Sequence, residues 1–397
     1  MDNTSYIRNA ICIFFQISTP MFNLPPGFES FSESRKTAFL EAQKISETQP
    51  IVGTFCTFVP RELILAAGAA PISLCSGNDE TIAAAEADLP INFCPLVKSS
   101  YGFAKTGKCP HFHFARLIVG ETTCDGKKKM FEYMVRDKPV HVIHLPQMTD
   151  EESVAFLANE FRKFARRLEE IFSVTITDEM VAEQITLVNE ERRALQDVYR
   201  LAKSDPPLLS GKELFVMFNT FTTSVGHEAK IAFARSLKEE YSSRPAGAGP
   251  RPKRILLTGS PITKATVKVI DAIESAGGSV VYIEGCVGSR PNELLVDEKN
   301  PDVYDALARK YIRIACSCMT PNDGRLQTIG EKIDEYHIDG VVDMGLVACH
   351  TFNAESTLLR EYVTKTKSTP FIHVETDYSQ ADFGQLSTRL SAFLEML

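Results

Sequence analysis

Five short apolar runs in this chain each give way to a cysteine: Cys56, Cys75, Cys124, Cys286 and Cys349 all follow a strand-like stretch. Few patterns constrain a fold more tightly. Short apolar runs that alternate with helix-like segments build a parallel sheet buried on both faces. Open sheets of that kind bind ligands in the crevice outside the carboxyl ends of their strands. Thiols collected along that edge point to soft metal chemistry rather than to packing.

The order of segments extends the pattern to the whole chain. "PIVGTFCTFVP", "RELILAAGAAPISLCSG", "RLIVGETTCDGKKKMFEYM" and "PVHVIHLPQ" read as four strands with intervening helices. A second series, "RILLTGSP", "GGSVVYIEGC", "YIRIACSCM", "IDGVVDMGLVACH" and "TPFIHVETD", follows the proline- and glycine-rich hinge "SSRPAGAGPRPK". In "RILLTGSP", Ser260 and Pro261 have the residue types of a helix N-cap and first helical position. The segment between the two series, for example "VAFLANEFRKFARRLEEIF", has apolar residues at helical spacing. At 397 residues the chain exceeds one ordinary core. The expected fold is therefore α/β, with two flavodoxin- or Rossmann-like doubly wound parallel-sheet domains and a helical insertion between them. The expected divisions are a loosely attached extension over residues 1–20, an α/β domain over 21–150, a helical region over 151–245 and a second α/β domain over 246–397.

Composition removes several classes of function. A 44% hydrophobic and 24% charged content is that of a folded globular chain. The net charge of -8 argues against a nucleic-acid partner, which needs a basic face. No apolar run reaches the roughly 18 to 20 residues of a bilayer crossing. Ten cysteines in a long chain of strands and helices fit a reducing cytoplasm better than a small secreted disulfide framework. Two similar halves offering thiols from strand ends imply a shared cleft, and an iron–sulfur cluster held by both halves is the leading cofactor expectation. Zinc fits poorly, since Cys316 and Cys318 form the one close pair in sequence.

The strings "GTFCTFVPRELILAAGAAPISLCSG", "NFCPLVKSSYGF", "GETTCDGKKKMFEYM", "CSCMTPND", "DGVVDMGLVACHTFNAES" and "VETDYS" resemble the 2-hydroxyacyl-CoA dehydratase D-component family, and within it the double-cubane-cluster reductase-like proteins. The resemblance runs over about residues 28 to 397. It implies two flavodoxin-like domains around either a single 4Fe-4S cubane held by three cysteines or two bridged cubanes held by six. It also implies an oxygen-sensitive, anaerobic protein, a homodimer, and electrons from a separate ATP-hydrolysing iron–sulfur activator. The expected activity is a low-potential reduction of a small substrate at an open iron in the interdomain cleft. The alternatives are a dehydratase subunit, a lyase working through a ketyl radical, and a non-catalytic electron carrier.

Cys56, Cys94 and Cys349 match the family's three-cysteine pattern. Cys124 and Cys286, with one of Cys316 and Cys318, are the expected second set, and the choice within the C-x-C pair stays open. An extended segment would put those two thiols on one side. Cys75 and Cys109 read as buried thiols that act as small apolar residues. Lys98 and Lys127 to Lys129 stand near Cys94 and Cys124 in sequence and offer positive charge. Glu62, Ser99 and His350 are candidates for proton transfer or hydrogen bonding in the cleft, with helix capping the ordinary role of a serine or histidine at such places. His111 and His113 alternate like strand residues.

Overall fold

The computed structural model describes residues 33–223, 226–244, 251–261 and 263–397. The extension over residues 1–20, with Cys12, and the middle of the hinge lie outside the described residues. The first lobe runs α1 (Glu33–Thr48), β1 (Ile51–Thr54), α2 (Arg61–Ala66), β2 (Ala70–Ser73), α3 (Ile82–Ala85), α4 (Pro95–Lys105), α5 (Pro110–Phe114), β3 (Ala115–Glu121), α6 (Asp125–Met134) and β4 (Val140–Ile143). Four helices follow: α7 (Glu151–Phe172), α8 (Asp178–Tyr199), α9 (Gly211–Thr223) and α10 (His227–Ser242). The second lobe runs β5 (Lys253–Gly259), α11 (Lys264–Ser275), β6 (Gly278–Ile283), α12 (Val303–Tyr311), α13 (Asp323–Glu335), β7 (Gly340–Leu346), α14 (His350–Glu361), β8 (Phe371–Thr376) and α15 (Phe383–Glu395).

Both sheets are parallel and share one topology, β2-β1-β3-β4 and β6-β5-β7-β8. The two Rossmann-like lobes expected from the sequence are thus present. Every residue of β7 is buried, and in β3 only Arg116 is exposed, as strands covered by helices on both faces require. In such an order the chain reverses direction between β1 and β3, and again between β5 and β7. Those are the switch points at which open sheets leave a crevice. Cys56 follows β1, Cys124 follows β3, and Cys349 follows β7.

Two features join the lobes. Helix α8 begins in the first lobe's core with Val181 and Ile185 and ends in the second lobe's core with Leu195, Val198 and Tyr199. After β6 the chain leaves the second sheet, packs α12 on α7 and returns only at α13. On this excursion Ile312, Ile314, Cys316, Cys318 and Met319 share a core with Phe58, Val59, Leu63 and Phe161 of the first lobe and α7. Burying each of the two isoleucines contributes about 1.5–3 kcal/mol, which fastens the excursion where it lies.

Three local expectations are corrected. The "YIRIACSCM" segment is no strand: Cys316 N–H bonds Ile314 O and Met319 N–H bonds Cys316 O, so successive turns carry the two cysteines. His111 and His113 lie in α5, where Pro110 opens a helical turn and Cys109 Sγ accepts the Phe112 N–H at 3.4 Å. Ser260 is not an N-cap. Its hydroxyl accepts the Leu346 N–H at 2.9 Å, and α11 starts behind Thr263, whose N–H donates to the Thr266 hydroxyl at 3.0 Å.

Candidate thiol-lined metal centre

The carboxyl edges of the two sheets enclose a cavity of about 1110 Å³. Every described cysteine except Cys109 lines it. The first lobe supplies Cys56, Cys75, Cys94 and Cys124, and the second supplies Cys286, Cys316, Cys318 and Cys349. All seven thiols singled out in the sequence are therefore brought to one chamber.

Three of these cysteines occupy helix N-caps: Cys94 before α4, Cys124 before α6 and Cys349 before α14. A helix amino terminus carries unpaired N–H groups and partial positive charge, which stabilises an anionic sulfur. The first-turn amides of Leu96 and Val97 face Cys94, that of Lys127 faces Cys124 and that of Phe352 faces Cys349. Cys94 and Cys349 also lie against each other as a hydrogen-bonding pair. The bond from Cys94 is the largest influence on Cys349 and holds its thiol at about 7 against the effect of burial, while Cys94 itself is pushed up. Cys349 further interacts with Cys124.

The remaining thiols form a second group. Cys56 faces both Cys286 and Cys316, and Cys286 faces Cys316. Cys316 and Cys318 form a second such pair. The hydrogen bond from Cys318 is again the largest influence and, with Arg290, holds Cys316 down to about 6. Burial pushes Cys286 up to about 12 although Arg290 stands 3.6 Å from its sulfur. Electrostatically Cys124 feels Cys349, while Cys56 feels Cys286 and Cys316, and Cys318 feels Cys56.

Buried charge frames the second group. Arg290 is held on Glu284 by bonds of 2.5 and 2.8 Å, and Glu284 also takes Thr258 and Arg325. On the other side Lys127 pairs with the fully buried Glu121, which is bonded to Cys56, and donates to Phe55 O at 3.1 Å. Lys127 thus provides the charge anticipated for it. Lys128 and Lys129 pair instead with Asp125 and Glu132, and Lys98 turns to Glu86 and Ile91 O, each at 2.8 Å.

The other sequence candidates fall in different places. His350 is the first residue of α14, exposed and on the cavity wall. Ser99 lies within α4, where its hydroxyl clamps the Asn78 backbone at 2.6 and 3.2 Å, and it is not among the cavity-lining residues. Glu62 is buried in an ion pair with Arg192 at 2.8 Å and accepts the Tyr311 hydroxyl at 2.7 Å. Cys75 donates its thiol to Phe55 O at 2.9 Å. Sequence reasoning missed Glu121 and Arg290. Each stands within four residues of a strand-end cysteine, in "GETTC" and "CVGSR", and that adjacency is the signal that marks them.

Fold and site together define a class: a two-lobed parallel α/β protein that presents thiols from both lobes to a common chamber. The sequence profile described as 2-hydroxyglutaryl-CoA dehydratase, D-component, matches residues 56–397. The chain belongs to this family. It is 48% identical over 381 residues, 94% of this chain and 99% of the relative, to the protein named "Putative dehydratase subunit YjiM" of Escherichia coli (strain K12). It is 24% identical over 359 residues (88% and 92%) to the (R)-phenyllactyl-CoA dehydratase beta subunit of Clostridium sporogenes. With a benzoyl-CoA reductase subunit of Thauera aromatica it shares 23% over 255 residues (61% and 64%). The family's members are subunits of dehydratases and reductases, so this chain is an enzyme component of that kind. No described helix is long and apolar enough to cross a membrane.

Proposed function

We propose that the chain is the iron–sulfur component of a low-potential reductase that takes electrons from a separate ATP-hydrolysing activator and reduces a small substrate in the cavity between its lobes. The observation that carries this reading is the convergence of eight thiols, four from each lobe, on one chamber. Cys94, Cys124 and Cys349 would hold one cubane, and Cys56, Cys286 and Cys316 the other. The donor set fits: soft sulfurs, three of them at helix amino termini, with Arg290 and Lys127 to offset negative charge. Among the described residues no three Cys, His, Asp or Glu side chains converge on a single ion.

Such a cluster supplies stored electrons of low potential when bound. The protein's own part is to hold the sulfurs, limit water and place compensating charge. His350, at the cavity wall, is the candidate to bring a proton. Ser99 fixes the loop beside α4, and Glu62 positions Arg192. The proposed setting is the cytoplasm under anaerobic conditions, with a homodimer as the working form.

A second reading, a 2-hydroxyacyl-CoA dehydratase subunit, is favoured by the names of the dehydratase relatives. Iron and acid-labile sulfide counts on anaerobically purified protein separate the two. About eight irons per chain support the paired cubanes, and about four support the dehydratase reading. A protein that binds no iron after anaerobic purification and reconstitution overturns both.

A further inference from the structure

The cavity extends beyond the thiols. Its wall also includes Arg61 from the start of α2, Arg192 from α8, Lys230 from α10 and Lys310 from α12. Arg192, Lys230 and Lys310 are only 1%, 8% and 4% exposed. Two carboxylates face these four cations. Glu62 is taken by Arg192 and Tyr311. Glu191 is shared by Arg61 at 2.6 Å, Lys230 at 3.7 Å and His227.

Lys310 is left over. Among the described residues it forms no ion pair; its ammonium donates to Pro291 O at 3.1 Å and lies 4.0 Å from the Tyr311 ring centroid. Arg192 Nε likewise has no hydrogen-bond partner among the described residues, although it is fully buried. A buried ammonium without a counter-ion costs several kcal/mol, and a purely structural position would be filled more stably by an apolar side chain of the same size. Burial also pushes Lys310 well below the ordinary lysine range. Cationic side chains from four separate helices therefore meet in a walled space with fewer carboxylates than cations, and a bound oxyanion would complete them.

We propose that this end of the cavity is an anion subsite, with Lys310, Lys230, Arg61 and Arg192 receiving the carboxylate or phosphate of a small substrate. Its reducible end then extends toward the thiols. The assignment of the far end rests on the reductase reading, whereas anion binding stands on its own. A neutral small molecule of the same shape is disfavoured, because it leaves Lys310 and Arg192 as they are.

Calorimetric titration tests the subsite, using anaerobic protein both with and without bound iron. The probes are propionate, inorganic phosphate and the neutral propionamide. At least one of the two anions is expected to bind once per chain, about tenfold more weakly in Lys310→Met, with Lys310→Arg recovering most of the affinity. Propionate binding better than phosphate assigns a carboxylate, and the reverse assigns a phosphate ester. Thermal unfolding guards against a folding defect. Lys310→Met is expected to melt no lower than the unsubstituted protein, and to lose the rise in Tm that the anion gives. The proposal is overturned if neither anion binds, if Lys310→Met binds them as tightly, or if propionamide matches propionate. Anion binding by a protein that takes up no iron keeps the subsite and removes the reductase reading. Iron uptake without anion binding does the reverse.

Discussion

Cys316 and Cys318 stand two residues apart yet occupy unequal positions. Cys316 faces Cys56 and Cys286 together and lies under Arg290, while Cys318 serves it as hydrogen-bond donor. Cys316→Ser is accordingly expected to lower the iron content by about half, the share of one cubane of two. Cys318→Ser should keep nearly all of it. Equal losses in metal analysis would contradict the grouping. Arg290 makes a different prediction. Its guanidinium, 3.6 Å from Cys286 Sγ, favours the more negative, reduced state of anything bound there. Arg290→Met should shift the reduction potential to more negative values in a redox titration followed by electron paramagnetic resonance, and an unchanged potential would place that charge outside the cluster's field. At this scale the sequence was a partial guide. Cysteines announce themselves, and the seven named thiols all reach the chamber. Arg192, Lys230 and Lys310 do not, since a cation on an amphipathic helix looks the same whether it meets solvent or a cavity. The surroundings of Ser99 and Glu62 were not legible either: both are buried, and their bonds to Asn78 and to Arg192 are made with partners distant in sequence.

Among elements, the strands were the legible ones. Continuous apolar runs marked six of the eight, because strands covered on both faces need no polar alternation, while β4 and β8, at the sheet edges, each follow a proline and carry a histidine within the run. The added ninth, around Cys316, was an apolar run of another origin: its isoleucines fill the first lobe's core from a turn. Periodicity cannot separate a short buried turn from a short buried strand. One strand end merits a test of its own. Gly259 closes β5 at the second switch point with φ of +121°, and a Cβ there would meet Met344 O at 2.1 Å. The obstacle is backbone and cannot swing aside, and the conformation itself favours glycine. Gly259→Ala is expected to cost about 1–3 kcal/mol in chemical denaturation, and to loosen the chamber wall by displacing Ser260 from Leu346. A change within a few tenths of a kcal/mol would mean that the switch point tolerates movement.

For the molecule as a whole, buried charge sets the behaviour in acid. Burial acts to raise the Glu191 carboxyl, but Arg61, His227 and Lys230 outweigh it and hold the group at about 2 instead of 4.5. A depressed carboxyl contributes stability that is full above its unfolded value and is lost as pH falls through the folded one. The protein should therefore weaken between about pH 4.5 and pH 2, with Glu191 responsible for a loss on the order of 3 kcal/mol. Glu191→Gln should be less stable at neutral pH and show a shallower decline over that interval. An acid limb of unchanged slope would move the origin elsewhere.

The chain path through α12 has a mechanical consequence. A protein of two lobes around a central chamber invites comparison with a clamshell, in which the halves swing apart to admit their cargo. Here the strap from the second lobe is rooted in the first, and α8 is shared by both interiors. Swinging the halves apart would drag Cys316 away from Cys56 and uproot Ile312 and Ile314 together. The two lobes are accordingly expected to move as one body, with the chamber keeping its shape as cargo enters and leaves.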